Sequence, residues 1–181
     1  MNAPRLKLLG VLCAGIALSA APVLAATQGT IGATSTGSLT IDAFIANLAQ
    51  ISSLDDIDLG NYDGTSAMSG NDQVCVFSNT GGYEVTATGD GAGNAFELSN
   101  GTDALDYGVE WADSAGAGSG TAMTSGAALQ FAAPSGPITT PDCNGGTSLN
   151  ARVFVDVLAT DLAVAPAGTY TGVLTLTVAP L

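Results

Sequence analysis

The chain has 181 residues, a formal net charge of −13 and no histidine. It has 16 aspartates and glutamates but only three lysines and arginines. Nucleic acids and anionic membranes are bound mainly through lysine and arginine. The composition therefore excludes nucleic acid and anionic membrane surfaces as partners.

Residues 1–25 have the composition of a secretory signal peptide. Arg5 and Lys7 form a basic n-region, Leu8–Leu18 forms an apolar h-region, and small residues ending at Ala25 form a cleavage motif. The h-region is shorter than the roughly 20 apolar residues that span a bilayer. We therefore predict cleavage after residue 25 and an exported mature chain that does not insert into the membrane.

Cleavage would leave Arg152 as the only cation, so the formal charge becomes 1 − 16 = −15. Such acidity indicates either a solvated surface that keeps an exported protein dispersed or a calcium site. The acidic cluster Asp55-Asp56-Ile57-Asp58 lacks the calcium-loop pattern with its closing Glu. We therefore predict no metal site and no cofactor.

Two cysteines, Cys75 and Cys143, remain after cleavage. In an oxidising compartment they are expected to form a disulfide that closes a loop of 143 − 75 = 68 residues. The alternative, a metal site, lacks both the CxxC spacing and a histidine ligand.

The mature chain begins with a flexible leader, residues 26–37, that contains mostly Thr, Ala, Gly and Ser. From Ser38 the pattern changes to a period of two, which predicts a half-buried strand. Its apolar positions are Leu39, Ile41, Ala43 and Ile45. Residues 46–54 fit either a strand or a short helical turn, and we favour a strand.

The next segments alternate apolar runs with turn residues. Ile57–Gly60 is predicted to be a short strand, followed by a loop over residues 61–71. Residues 73–78 and 83–88 are predicted to form a hairpin around Asn79-Thr80-Gly81-Gly82. In that hairpin Tyr83, Val85 and Ala87 should face inward.

An aromatic strand follows a short strand at residues 95–98 and a turn at Asn100-Gly101. Its alternate positions are Leu105, Tyr107, Val109 and Trp111. Trp111 lies an even number of residues after Tyr107, which places both on the same face of the strand. Trp111 is therefore interpreted as a core residue rather than a platform for sugar stacking.

Three more strands complete the prediction: residues 127–131, residues 152–158 with Val153, Val155 and Val157 on one face, and residues 170–178. The last strand places Tyr170, Leu174, Leu176 and Val178 on its apolar face. No later segment is left to pair with it, so it is either a true edge or is paired by another molecule. Seven to nine short strands at these intervals favour an all-β, immunoglobulin-like antiparallel β-sandwich over residues 38–181.

Three segments together resemble fimbrial subunits of the chaperone–usher route, in particular the archaic and alternate branches that include spore coat protein U-type domains. These segments are Gly37–Ala43, Leu54–Tyr62 with its Asp58-Leu59-Gly60-Asn61-Tyr62 ending, and Ala165–Leu176 with its Pro-Ala-Gly-Thr-Tyr turn and strand.

The resemblance implies an incomplete sandwich that lacks its last strand. In that family a periplasmic chaperone fills the gap first, and the N-terminal segment of the next subunit replaces it during assembly at an outer-membrane usher. It implies that residues 38–46 form a donor strand, with Leu39, Ile41, Ala43 and Ile45 entering a neighbour. The acceptor edge would carry Tyr170, Leu174, Leu176 and Val178. The location implied is an extracellular fimbrium at the cell surface.

Two other classes of function compete with this structural role. A self-complete, secreted acidic β-sandwich could bind calcium or a glycan through its acidic loops. An enzyme is not expected, because the mature chain has no histidine or lysine, and Asp106 and Glu110 have the spacing of solvent-facing strand residues.

Overall fold

The computed structural model describes residues 26–134 and 140–181. The predicted signal peptide, residues 1–25, lies outside the described residues. The chain divides into two compact units whose boundary falls between Phe44 and Ile45. The described residues contain no helix that is long and apolar enough to cross a membrane.

The first unit has no buried side chain among residues 26–44. Thr27 and Ser38 form an isolated antiparallel bridge in which each N–H donates to the other carbonyl, at 2.9 and 3.0 Å. After this bridge the backbone makes no strand until Ala49. The half-buried strand predicted for residues 38–45 is therefore wrong for the chain by itself, because nothing described covers its apolar side chains.

Within residues 45–134 and 140–181, the second unit contains ten strands and three short turns of helical character. The strands are β1 Ala49–Ser52, β2 Met68–Ser78, β3 Tyr83–Thr88, β4 Glu97–Ser99, β5 Ala104–Asp106, β6 Gly108–Ala112, β7 Thr121–Ala122, β8 Ala128–Phe131, β9 Ala151–Val157 and β10 Thr175–Pro180. The turns are a 3₁₀ turn at Ala92–Asn94, a turn at Cys143–Gly146 whose four residues all have a positive φ, and a helical turn at Ala159–Leu162.

The strands form an antiparallel β-sandwich, which confirms the all-β prediction. One sheet has the order β1-β2-β9-β6-β7, and the other has the order β10-β3-β8. The hairpin β4–β5 forms a small separate sheet. Both large sheets contribute to one hydrophobic core, whose fully buried members are Val74, Val76, Tyr83, Val85, Ala87, Trp111, Ala151, Val153 and Val157.

The core strands follow their predicted faces. Val153, Val155 and Val157 of β9 are buried, as are Tyr83, Val85 and Ala87 of β3. Trp111 is fully buried and donates its indole N–H to the Tyr83 hydroxyl at 3.1 Å, which links the two sheets. The core assignment of Trp111 is therefore confirmed.

The predicted hairpin of residues 73–88 is wrong in its pairing. Both strands exist, but β2 and β3 belong to different sheets. The Ser78 hydroxyl donates to the Gly82 carbonyl at 2.7 Å, and Gly81 has a φ of 87°. These features form an arch, Asn79–Gly82, that carries the chain from one sheet to the other over the shared core. An arch and a hairpin bury the same alternate side chains, so the alternating sequence pattern does not distinguish between the two kinds of connection.

Two further predictions differ in detail. Ile57–Gly60 is not a strand, although Ile57 and Leu59 pack against the core and lie over Gly70 of β2. The aromatic strand is interrupted at Tyr107, because β5 pairs with β4 whereas β6 pairs with β9. Its four alternate side chains are nevertheless all buried.

Candidate functional site

The strand β10 is bonded along one side only. It pairs antiparallel with β3, from Thr175 opposite Thr88 to Pro180 opposite Tyr83. Within residues 26–134 and 140–181, no strand pairs with its other side. β10 is thus an edge of its sheet, and the unpaired side is free to bond a further strand.

The predicted acceptor side chains lie on and just before this strand. Leu176 and Val178 belong to β10, whereas Tyr170 and Leu174 precede its first residue. All four pack against the core and remain partly exposed. In contrast, the inward side chains of the neighbouring β3 are fully buried. The inner face of β10 is therefore only partly covered.

The register of β10 identifies which backbone groups are free. Leu181 donates its N–H to the Gly82 carbonyl at 3.3 Å, so the pair directly after Pro180–Tyr83 is hydrogen-bonded. Bonded and non-bonded pairs alternate in an antiparallel ladder. The N–H and C=O groups of Leu176 and Val178 consequently point to the unpaired side.

The strand β1 presents a similar edge on the other sheet. Among the strands of the described residues it pairs with β2 alone, with Ala49 opposite Ser78 and Ser52 opposite Cys75. Asn79 donates its backbone N–H to the Leu48 carbonyl at 3.1 Å, which makes this flanking pair hydrogen-bonded. By the same alternation, Ala49 and Ile51 direct their backbone groups away from β2.

These two edges lie next to each other, since β1 and β10 are in contact although no ladder joins them. We name the pair, Ala49–Ser52 and Thr175–Pro180, the open edge. Its inward side chains include Ile51, Leu176 and Val178, which are partly buried against the core. A strand laid along the open edge would find backbone partners in both sheets and would cover these apolar side chains.

The predicted donor side chains are exposed. The exposed fraction is 70% for Leu39, 86% for Ile41 and 80% for Ile45, and Ala43 is exposed as well. Phe44, which has the opposite parity, is 92% exposed. A segment whose alternate apolar side chains are this exposed is typical of a surface that another molecule covers.

A side-chain clip fixes the point where the sandwich begins. The Asn79 amide donates to the Ala46 carbonyl at 2.8 Å, and its Oδ1 accepts the Leu48 N–H at 2.7 Å. Asn79 belongs to the arch, and β10 ends at the same arch through Leu181. Ala46 is thereby held at the end of the sandwich toward which β10 runs.

The disulfide is present between Cys75 and Cys143, as predicted, with an S–S distance of 2.05 Å. Both cysteines are buried. Cys75 lies opposite Ser52, and the Ser52 hydroxyl donates to the Pro141 carbonyl at 3.4 Å. The disulfide therefore ties the Pro141–Cys143 segment to the end of β1 that lies away from the arch.

Acidic side chains of the described residues line one surface hollow. Within residues 26–134 and 140–181, no three histidine, cysteine, aspartate or glutamate residues are grouped as metal ligands. An open surface hollow of about 260 Å³ has Asp103, Asp106 and Asp161 beside apolar Leu105 and Val164. Asp106 and Glu110, the carboxylates considered from sequence, lie on different strands, β5 and β6.

Sequence reasoning located the apolar residues of the open edge but missed its polar side. The clip formed by Asn79 and the free backbone groups of β1 and β10 depend on which strands pair. The one available signal was Asn79 itself, since asparagine frequently bonds neighbouring backbone in turns.

Comparison with known proteins gave matches only among solved structures. No protein-family model and no curated protein match the chain. It is similar to a structure of a chaperone–tip adhesin complex of CFA/I fimbriae, with a TM-score of 0.46 and 20% identity over 75% of this chain and 41% of that chain. It is also similar to a mutant of the CFA/I adhesin CfaE of enterotoxigenic E. coli, with a TM-score of 0.44 and 15% identity over 74% and 42% of the two chains.

The chain thus spans less than half the length of either structure. Both structures concern CFA/I fimbriae, but at identities of 20% and 15% the similarity concerns the fold alone.

Proposed function

We propose that this protein is an exported structural subunit of a cell-surface fimbria or a related coat, which assembles by strand exchange. In this proposal the open edge of one molecule binds the segment Ser38–Ile45 of another. A periplasmic chaperone would occupy the open edge before assembly, and an outer-membrane usher would exchange the chaperone for a neighbouring subunit. Archaic or alternate branches and spore coat protein U-type domains are the proposed relatives.

The observation that carries the proposal is the match between two exposed features of one chain. The open edge offers unpaired backbone groups and partly covered apolar side chains in both sheets. The segment Leu39–Ile45 offers alternate apolar side chains with no cover of their own. Addition of an extended segment to a sheet edge satisfies backbone groups and buries alternate side chains together.

Burial of this segment in an assembly combines a favourable apolar term with an opposing entropy term. Each large apolar side chain that leaves water contributes about 1.5–3 kcal/mol. Leu39, Ile41 and Ile45 have most of their surface still to bury. Ordering the backbone of the segment costs roughly 1–2 kcal/mol per residue, which over Ser38–Ile45 is at least comparable to that gain. Backbone hydrogen bonds to both sheets would add to the balance.

The test is a comparison of Ile41→Asp and Phe44→Asp in the mature chain. Strand exchange buries residue 41 but leaves residue 44 on the outer face, because side chains alternate along a strand. Ile41→Asp should therefore give folded monomer that does not polymerise, since burial of an unpaired carboxylate costs several kcal/mol. Phe44→Asp should polymerise as the natural sequence does. Size-exclusion chromatography before and after mild heating, with circular dichroism to check folding, measures both properties.

Two results would contradict the proposal. If the natural chain is a stable monomer whose segment 38–45 is protected from hydrogen exchange, that segment folds back onto its own open edge. If Ile41→Asp unfolds even with a donor peptide present, Ser38–Ile45 is a core strand of its own subunit.

A further inference from the structure

Pro180 occupies a distinctive place on the open edge. It is the last residue of β10 and lies opposite Tyr83 in a pair that the alternation makes non-bonded. The backbone nitrogen of residue 180 therefore points to the unpaired side of β10. Proline is tolerated at such a position because it has no N–H to donate and β3 requires none there.

The consequence is a discontinuity in the donors of the open edge. Toward the arch, the last N–H on the unpaired side of β10 is that of Val178. The N–H of Ala179 points to β3, Pro180 has no N–H, and the N–H of Leu181 donates to the Gly82 carbonyl. Any strand added to β10 finds N–H donors at Leu176 and Val178 and then finds no donor at residue 180. A carbonyl of the added strand that reaches residue 180 would have no backbone partner on β10.

From this we infer that Pro180 is the register stop of the open edge: it ends the ladder at Val178 and so determines how far toward the arch an added strand pairs. This inference rests on the proposed function, because it requires that a strand binds the open edge. Its partner is the segment Ser38–Ile45 of a second copy of the chain. Registers shifted toward the arch by two residues, which preserve the inward face, would be penalised by the unpaired carbonyl.

The test uses donor peptides with the full mature chain carrying Ile41→Asp, so that its own segment does not compete. Three peptides are compared: residues 38–45, residues 36–45 and residues 38–47. One longer peptide is extended at its N-terminal end and the other at its C-terminal end. Whichever direction the added strand takes, one of the two is therefore extended toward residue 180. Affinities are measured with Pro180 present and with Pro180→Ala, which supplies one backbone N–H. Pro166→Ala, in the turn before β10, is the control for loss of a proline elsewhere.

We expect the longer peptide that reaches residue 180 to bind no better than residues 38–45 when Pro180 is present. With Pro180→Ala it should bind roughly two- to tenfold more tightly, which is the net effect of one added hydrogen bond. The new amide at position 180 should be protected from hydrogen exchange only by that peptide. Pro166→Ala should leave all three affinities unchanged.

The possible failures are distinguishable. If peptides bind but Pro180→Ala changes neither their affinities nor the exchange at position 180, the register stop is wrong while strand exchange stands. If both longer peptides already gain affinity with Pro180 present, the stop is likewise wrong. If no peptide binds the open edge, the inference and the proposed function are both overturned.

Discussion

At the residue scale, two buried tyrosines differ in whether their hydroxyl groups are hydrogen-bonded. The Tyr83 hydroxyl accepts the indole N–H of Trp111 at 3.1 Å, whereas the buried Tyr107 hydroxyl has no hydrogen-bond partner among the described residues. Tyr83→Phe should lower the free energy of unfolding by about 1–3 kcal/mol, because it leaves a buried N–H unsatisfied. Tyr107→Phe should be neutral or slightly stabilising, because it removes an unpaired hydroxyl. Urea denaturation of both variants measures the difference, and equal losses would contradict the assignment.

The burial of Tyr83 predicts that the stability of the fold decreases at alkaline pH. Burial in the core is the main factor that raises the pKa of Tyr83 to about 12, from an ordinary value of 10.0. Between these values the unfolded chain loses the phenolic proton first, so stability that is complete below pH 10 is lost as the pH rises toward 12. The loss should be about 2–3 kcal/mol, and Tyr83→Phe should reduce it. Phenolate absorbance of folded protein measures the titration, and ionisation of Tyr83 near pH 10 would refute it.

The residue scale also marks where sequence reasoning succeeded. Trp111, Tyr83 and Val153 were predicted to be core residues from alternation alone, because a side chain's parity along a strand determines its face. Pro180 and Asn79 were not recognised. Their roles depend on which strand lies opposite, and a single sequence does not specify that partner.

At the element scale, the strands were easier to predict than their pairing. β8 and β9 closely follow the predicted segments, whereas β2 and β3 are joined by an arch instead of a hairpin. Local alternation reports burial, and both connections bury the same side chains. Ile57–Gly60 shows the converse error, since its apolar side chains pack on β2 without forming a ladder.

The disulfide gives a prediction for the elements it joins. It links Cys75 of β2 to the turn at Cys143 and closes 68 residues. Its loss should lower the free energy of unfolding by roughly 4 kcal/mol, which is the chain-entropy value for such a loop. Urea denaturation of the oxidised chain and of the Cys75→Ala, Cys143→Ala double variant measures this. Alkylation without reductant is the control: two reactive thiols in exported protein would show that the bond does not form.

At the scale of the whole molecule, the open edge and the exposed segment were predicted as two complementary apolar patterns, and their geometry came from the fold. The sequence contained the period of two at Leu39–Ile45 and at Leu174–Val178. It did not contain the contact between β1 and β10, which arises from how two sheets close over one core. The site was therefore predictable as residues but not as an edge shared by both sheets.

Charge gives the prediction that belongs to the assembled molecule. After the predicted cleavage each copy carries a formal 1 − 16 = −15, so approaching copies repel each other. The Debye length shortens from about 30 Å at 0.01 M salt to about 10 Å at 0.1 M, and electrostatic effects act mainly on association rates. Polymerisation of the mature chain should therefore accelerate as sodium chloride rises over this range, as followed by light scattering, while Ile41→Asp stays monomeric throughout. Calcium chloride at equal ionic strength should produce a similar acceleration, because no calcium site is predicted. A rate that falls with salt would show that attraction between charged groups guides assembly, and a response to calcium far above the sodium curve would indicate a specific cation site.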